Sequence, residues 1–403
     1  MTPAQIQRPQ TIAAGNCMKI VFFTDTYSPQ INGVVSYIND IIDELKKENE
    51  LVLFAPSSDK KMKIEQKDKN FKIYWIPSSP FPFYEGYLVA SANYKRISNI
   101  IEKEKPDIVH AHIPVWLGLQ GIISAKRKKI PIVITYHTHL PEYAPHLIDF
   151  KNLGILKKLT QDAVKKLIKH TYAMANVVTA PTEELAQELK GYGLKNVICL
   201  SNGVNFKRLL SNSEKVAQIK HRHKLENKQI VLYLGRLSFE KRIDKLIDAY
   251  KLIETPKTLL VIAGSGPNKN NLIEYAKKIG VKNIVFTGQI PHNEIGSTYE
   301  IATIFASASD SETFGLTFVE AMHFGIPPIG TNRLGVKEVI QNNISGILIE
   351  PNDTTGFARA METLLRNQKI YGRISVAAKK RAAEYSIENS ATQLVKTYQN
   401  LIN

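Results

Sequence analysis

Two successive sets of short apolar runs, each run followed by a stretch of helical periodicity, constrain this 403-residue chain more than any other feature. The first set is Lys19–Asp25, Leu51–Ala55, Ile73–Ile76, Ile108–Ala111, Ile132–Tyr136, Val177–Ala180 and Val197–Leu200. The second is Ile230–Leu234, Leu259–Ala263, Ile284–Thr287, Ile304–Ala306, Pro328–Ile329 and Gly346–Ile349. Runs so short and continuous read as strands buried on both faces, and strands alternating with helices join in parallel through right-handed crossovers. Two such sets predict an α/β chain of two doubly wound domains. The turn-rich Ser201, Asn202, Gly203, Val204 and Asn205 mark the break, giving a first domain over 18–205 and a second over 206–384. Residues 385–403 read as a terminal helix with Ser386 as its N-cap. Residues 1–17 lack the basic start and apolar stretch of a secretory signal and read as a disordered extension. An amphipathic helix is expected from about Val34 to Lys47, and the Lys-rich Lys60–Lys72 reads as a loop.

Composition excludes several classes. With 43% apolar and 22% charged residues the chain is globular. No run approaches the ~20 apolar residues of a transmembrane helix. Cys17 and Cys199 are too few for a disulfide framework or a metal cluster, so a reducing cytoplasm is the expected compartment. The net charge of +16 is spread over both halves, +7 for 1–205 and +9 for 206–403. Nucleic acid, an anionic bilayer or a phosphorylated substrate would each suit it, as would a Lys-favouring codon bias. No basic–aromatic RNA motif or recognition-helix pattern accompanies the charge, so nucleic acid is not an expected partner.

The chemistry gathers where strands run into helices, the edge at which doubly wound sheets bind ligands. Ser309 to Ala321 carries Glu312 and Glu320 on either side of Phe314, Gly315 and Leu316, with Gly315 opening a helix. A helix start offers unpaired N–H groups and a positive dipole end, which suit a phosphate. Eight helical rises make about 12 Å, the length scale of a nucleotide–sugar. One acid can then accept hydroxyl hydrogens on each side of a bound diphosphate. Arg236 and Lys241 stand five apart after the first strand of the second domain, placed to clasp a diphosphate and neutralise a departing nucleoside diphosphate. Basic residues oppose the dipole at a helix start, which favours a functional reason for them. Gly264, with Gln289 and Ile290 after Gly288, lies in further Gly turns that could shape the same pocket or be generic turns. Asn32-Gly33 forms a strand-to-helix junction where backbone can approach a ligand, without the Gly-x-Gly-x-x-Gly of a dinucleotide fold.

His110 and His112, like His137 and His139, fall two apart, which puts each pair on one face of an extended segment. No third cluster with ligand spacing and no Asp-x-Asp pair joins them, so no metal site is expected.

The run Glu312, Thr313, Phe314, Gly315, Leu316, then Glu320, Ala321, Met322, then Gly325, Ile326, Pro327 resembles the donor-site signature of retaining family 4 glycosyltransferases. The resemblance spans about residues 18–400. It implies the GT-B fold: two Rossmann-like domains facing a central cleft, with the last helix crossing back to the first domain. It further implies Arg236 and Lys241 on the pyrophosphate, Glu312 on the donor sugar, Glu320 on the ribose, Gly33 over the phosphates and His137 touching the donor sugar. No tightly bound cofactor and no metal for donor binding are expected.

Two stretches bear on the acceptor. Ile76 to Tyr87 is an aromatic, Pro-stiffened loop, costly to expose without purpose. Leu153–His170 puts Leu156, Leu159, Ala163, Val164, Leu167 and Ile168 at helical spacing beside Lys157, Lys158, Lys165, Lys166 and Lys169. Such a helix can lie in a headgroup layer, or face a core with its lysines in solvent. Together with Thr24 to Tyr27 and Tyr136 to Tyr143, these stretches look like the subgroup that glycosylates diacylglycerol. That resemblance implies UDP-glucose as donor, a lipid acceptor, and a cytoplasmic enzyme peripherally bound to the membrane through its basic N-terminal domain. A soluble or phosphorylated acceptor (phosphatidylinositol, a phosphosugar or a polysaccharide), nucleotide-sugar epimerisation on the same architecture, and a non-enzymatic basic nucleic-acid binder are the rival readings.

Overall fold

A computed structural model describes residues 17–30, 32–81, 88–91, 94–141 and 154–403, the side chains of 154–158 excepted. The first sheet is built from β1 (Lys19–Thr24), β2 (Glu50–Ser57), β3 (Lys63–Asp68), β4 (Phe71–Pro80), β5 (Leu88–Ala90), β6 (Ile108–His112), β7 (Ile132–Thr135), β8 (Val177–Ala180) and β9 (Val197–Cys199). Its order is β3-β4-β2-β1-β6-β7-β8-β9, parallel except for β3 and β5, which both pair antiparallel with β4. Helices α1 (Gly33–Leu45), α2 (Tyr94–Glu104), α3 (Leu117–Arg127), α4 (Gly154–Tyr172) and α5 (Glu183–Gly191) accompany it.

The second sheet holds β10 (Gln229–Leu234), β11 (Thr258–Ala263), β12 (Ile284–Gly288), β13 (Ile304–Ser307), β14 (Pro328–Thr331) and β15 (Ile347–Ile349). All are parallel, in the order β12-β11-β10-β13-β14-β15. Around it lie α6 (Ser213–His223), α7 (Ile243–Lys251), α8 (Lys269–Ile279), α9 (Ile295–Glu300), α10 (Leu316–His323), α11 (Leu334–Val339), α12 (Thr354–Arg366) and α13 (Gln368–Ala382), before the terminal α14 (Ile387–Ile402).

Strand alternation builds a core on each face of the first sheet. Phe23, Phe54 and Tyr74 stack on one face with ring centroids 4.4 and 4.9 Å apart. Phe22, Ile108 and Val133 fill the other face, under Ile38 and Ile41 of α1 and Leu394 and Tyr398 of α14. Ser386 caps α14 by accepting from the Asn389 N–H, as its position in sequence predicts. The crossing is anchored by Val204 N–H donating to the Tyr385 carbonyl (2.9 Å) and Ile387 N–H donating to the Val204 carbonyl (3.0 Å). Leu394 and Tyr398 are fully buried in the first domain. At about 1.5–3 kcal/mol per large apolar side chain, that burial docks the helix.

Three readings change. Residues 76–80, expected as the start of an aromatic loop, are the end of strand β4 and pair with β5. Lys60–Lys72 is not a plain loop: β3 runs through it as an edge strand, with Trp75 Nε1–H donating to Glu65 (2.8 Å). A strand with neither face buried carries no apolar alternation to read, and its lysines suit an edge that should not pair further. The strand expected to end at Tyr136 ends at Thr135, with consequences for the histidines beyond it.

In each sheet the strand order reverses beside the first strand, between β1 and β6 and between β10 and β13. The carboxyl ends of these strands lead into Asn32-Gly33, His112, Arg236 to Lys241, and the α10 tip. The motif residues therefore fall at the two topological switch points.

Candidate active site

The second-domain wall is built on the tip of α10. Gly315, at φ 93°, occupies the left-handed region that a β-carbon disfavours, and it turns the chain from the β13 exit into the helix. No side chain caps α10 among the described residues, so its first N–H groups are left to point out of the helix end. Phe314 is buried edge-on against Tyr385 (5.3 Å), and Gly335 N–H donates to the Glu312 carbonyl (2.9 Å), so the loop before the helix is held from below. Glu312 Oε1 lies 2.7 Å from Lys241 Nζ, with both side chains about four-fifths buried. Arg242, itself in the left-handed region at φ 49°, reaches Asp310 (3.6 Å) and Asn352 (2.9 Å).

The β10, β11 and β12 ends form a shelf behind this pair. Gly264 stands at φ 140°, and a β-carbon there would lie 1.9 Å from the Gly235 carbonyl oxygen, so no other residue fits. Gly264 N–H donates to the Gly288 carbonyl (2.8 Å), and the buried Tyr233 hydroxyl donates to the Arg236 carbonyl (2.9 Å). Arg236 is half-buried on this shelf; beyond Gly288, Gln289 is exposed while Ile290 packs on the core.

One turn into α10, Glu320 Oε2 accepts from the Tyr299 hydroxyl at 2.6 Å. Burial raises the Glu320 carboxyl to about 7, opposed by that hydrogen bond and reinforced by the Asp40 charge on α1. Burial likewise raises Asp40 to about 6 against the pull of Arg208, whose Nη1 lies 2.7 Å from Asp40 Oδ1.

The first-domain wall meets this one closely. A β-carbon on Gly33 would lie 3.4 Å from Leu316 Cδ1, and Thr313 Oγ1–H donates to the His137 carbonyl at 2.7 Å. Asn32 caps α1 by accepting from Val34 and Val35 N–H. His137 is buried; its Nε2 lies 2.8 Å from His112 Nδ1, and burial pushes its imidazole down to about 3. His110 and His112 are also held neutral, burial being the main cause and neighbouring histidines the second.

His139 does not share the His137 face. Because β7 stops at Thr135, alternation no longer governs these residues, and His139 pairs with Glu188 of α5 (2.9 Å).

The structure thus brings Lys241, Glu312, Phe314, Gly315, Leu316, Gly33 and the His137 backbone to one junction, with Arg236 and Gly264 on the shelf behind it. Gln289 and Ile290 lie farther along the same edge, and Glu320 lies one turn deeper. Sequence reasoning missed Tyr299 behind Glu320 and His112 beside His137. It also missed Asp25, buried, which accepts from the N–H groups of Val115, Trp116, Leu117 and Gly118 (2.7–3.1 Å) and so caps α3. Only an Asp at a strand's carboxyl end signalled that last role.

Among the described residues no group of three or more His, Cys, Asp or Glu is placed to hold a metal ion. None of their helices is long and apolar enough to cross a membrane. On α4, Val164 and Ile168 pack inward, while Leu159 and Leu167 are 59% and 58% exposed beside Lys166 and Lys169. The Pro82–Tyr87 part of the aromatic loop, the 1–16 extension and Glu142–Leu153 lie outside the described residues.

Two doubly wound domains whose switch points face one another, with a basic loop and an acid-flanked helix tip between them, define a two-domain α/β architecture whose ligand edge lies at the junction. Residues 31–208 match the Glycosyltransferase Family 4 model and residues 215–381 match Glycosyl transferases group 1. The alpha-monoglucosyldiacylglycerol synthase of Streptococcus pneumoniae is 30% identical over 339 residues, 82% of this chain and 75% of that protein. The enzyme of the same name from Acholeplasma laidlawii is 28% identical over 407 residues, covering 96% and 98%. The solved structure of Anabaena Alr3699/HepE in complex with UDP-glucose superposes with a TM-score of 0.76 at 17% identity, over 95% of this chain and all of that one. The chain belongs to the family 4 glycosyltransferases, with the GT-B fold.

Proposed function

We propose that this glycosyltransferase moves a hexose, glucose from UDP-glucose, to the free hydroxyl of 1,2-diacylglycerol, forming an α-linked monoglycosyldiacylglycerol. The juxtaposition of the Lys241–Glu312 pair with the α10 tip carries the reading: a cation, helix N–H groups and a sugar-facing acid converge at one sheet edge. Arg236 and Lys241 stabilise the departing diphosphate, aided by the amides at Gly315 and Leu316 and by Gly33 opposite. Glu312 fixes sugar hydroxyls, His137 contacts the sugar from the first domain, and Glu320 holds the ribose. Gly264, Gln289, Ile290 and Phe314 shape the nucleotide pocket.

Glu312 is ion-paired and Glu320 is pinned by Tyr299, which supports a front-face route over a covalent glycosyl–enzyme. On that route the bond from C1 to the phosphate oxygen breaks, the bond from C1 to the acceptor oxygen forms on the same face, and the acceptor proton passes to the leaving phosphate. No metal is assigned a part in donor binding.

The diacylglycerol acceptor rests on the S. pneumoniae and A. laidlawii relatives, which bear monoglucosyldiacylglycerol synthase names, and on the face of α4. Leu159 and Leu167 turned outward among lysines suit the headgroup layer of an anionic membrane, with the protein peripheral on its cytoplasmic side. The test is product identification with labelled UDP-hexoses and a lipid panel. An α-glucosyl diacylglycerol supports the reading. Transfer only to phosphatidylinositol, a phosphosugar or a polysaccharide refutes the acceptor, and conversion of donor alone to an epimer refutes the reaction.

A further inference from the structure

The first-domain wall holds two polar chains, of which one closes and one does not. His110 Nδ1 lies 2.6 Å from the Tyr398 hydroxyl and its Nε2 2.7 Å from Thr135 Oγ1, which lies 2.7 Å from Thr179 Oγ1. A proton donated at each step from Tyr398 to His110, to Thr135 and to Thr179 satisfies every contact. His112 differs. Its Nδ1 lies 2.8 Å from His137 Nε2, while its own Nε2 is buried without a hydrogen-bond partner.

Both rings are neutral, so a single proton lies between those two nitrogens. If His137 owned it, His112 would carry its own proton on Nε2, and a buried N–H would be orphaned. If His112 owns it, the orphan is a lone pair. Buried N–H groups without a partner are rarer than under-satisfied acceptors, so the second arrangement wins. The ring centroids stand 5.1 Å apart with the planes differing by 26°, about as far as a 2.8 Å contact between ring nitrogens allows. The rings therefore meet end to end, and a His112 Nδ1–H points close to the plane of the His137 ring, where the Nε2 lone pair lies.

We infer that His112 is a positioning residue for the transfer reaction: its Nδ1–H donates to His137 Nε2, fixing His137 as the Nδ1–H tautomer and directing that N–H to the donor. The inference rests on the reading above that His137 contacts the donor sugar. His112 acts through His137 alone. The tautomer it selects is the less populated one of free histidine, so a partner is needed to hold it.

Protein labelled with nitrogen-15 histidine tests this by long-range proton–nitrogen correlation. His137 is expected to show a protonated Nδ1 and an unprotonated Nε2. In His112→Leu the proton is expected to move to Nε2, with kcat falling about tenfold or more, the equivalent of one lost hydrogen bond, and donor KM changing far less. In His112→Asn, whose amide stands where Nδ1 stood, the wild-type tautomer and most of kcat should return. A His137 protonated at Nε2 in the wild type, or wild-type turnover in His112→Leu, overturns the inference. Should the Leu variant fail to fold, the wild-type spectrum and the Asn variant decide it. His137→Ala separates the two claims: unchanged turnover there refutes the donor contact itself, whereas its loss beside a fully active His112→Leu refutes only the role of His112.

Discussion

On the second-domain wall the polar groups are charged and met by opposite charges, Lys241 with Glu312 and Arg242 with Asp310, in surroundings that solvent still reaches. On the first-domain wall they are neutral, buried and bonded in chains, His110 with Tyr398 and Thr135, His112 with His137. The difference fits a substrate that is itself divided. A diphosphate is gripped by charge that can be re-paired as the leaving group gains negative charge. A sugar presented to an acceptor needs fixed, uncharged donors and a dry surface. Desolvation disfavours the charged form of the first wall's histidines, so near neutral pH they offer an uncharged N–H.

Breaking the charged wall should have the largest effect. Lys241→Ala and Glu312→Ala are each expected to lower kcat by about 10²–10³, with circular dichroism unchanged, since in the proposed function each acts at the reacting end of the donor. Near-normal turnover in both would move the site elsewhere. Next is the neutral wall: His137→Ala is expected to lower kcat by roughly 10–100-fold. Because burial holds the His137 imidazole near 3, the wild-type kcat profile should show no limb from this group between pH 5 and 8. A histidine limb near 6.5 that disappears in the Ala variant would contradict the neutral assignment.

Glu320 sits between the two walls in character, a carboxyl raised to about 7 by burial. In its proposed role, accepting ribose hydroxyls, it would act ionised, so donor KM should be roughly tenfold higher at pH 6 than at pH 8. Glu320→Gln should flatten that dependence. The same group carries a stability signature. Its folded pKa lies above its ordinary 4.5, so the folded chain holds the proton more tightly. Its contribution to stability is full below pH 4.5 and lost as pH rises through 7. Glu320→Gln should therefore raise Tm at pH 8, by about 2–4 °C, while weakening donor binding. A lower Tm at pH 8 would show that the carboxylate is not strained. The smallest effect concerns the outer surface. Leu159→Ser with Leu167→Ser should weaken sedimentation with anionic vesicles about tenfold and leave UDP binding unchanged. Equal sedimentation would remove α4 from the membrane reading.

What could be read from the chain was whatever is local along it. Glu312, Gly315 and Glu320 fall within one turn-and-helix unit, so their spacing alone places them about a helix start. The strands buried on both faces announced themselves as continuous apolar runs. The contacts that organise the site are not local. Tyr299 reaches Glu320 from another helix, His112 reaches His137 from a neighbouring strand, and Asp25 caps a helix about ninety residues onward. No periodicity reports such pairings, because they are made by sheet order. His137 and His139 show the converse: their spacing implied a shared face, but the strand had already ended. In α4 the apolar stripe was legible, whereas its division between core and solvent needed the neighbours that bury Val164 and Ile168.

The central claim, that the α10 tip and the basic loop grip the diphosphate, is tested most directly by a crystal structure with UDP-glucose bound. The phosphates are expected within hydrogen-bonding distance of the Gly315 and Leu316 amides and of Lys241 Nζ, with Glu312 on the sugar and Glu320 on the ribose. A nucleotide bound away from the β10 and β13 ends, or one whose phosphates touch neither Lys241 nor the Gly315 and Leu316 amides, would contradict it.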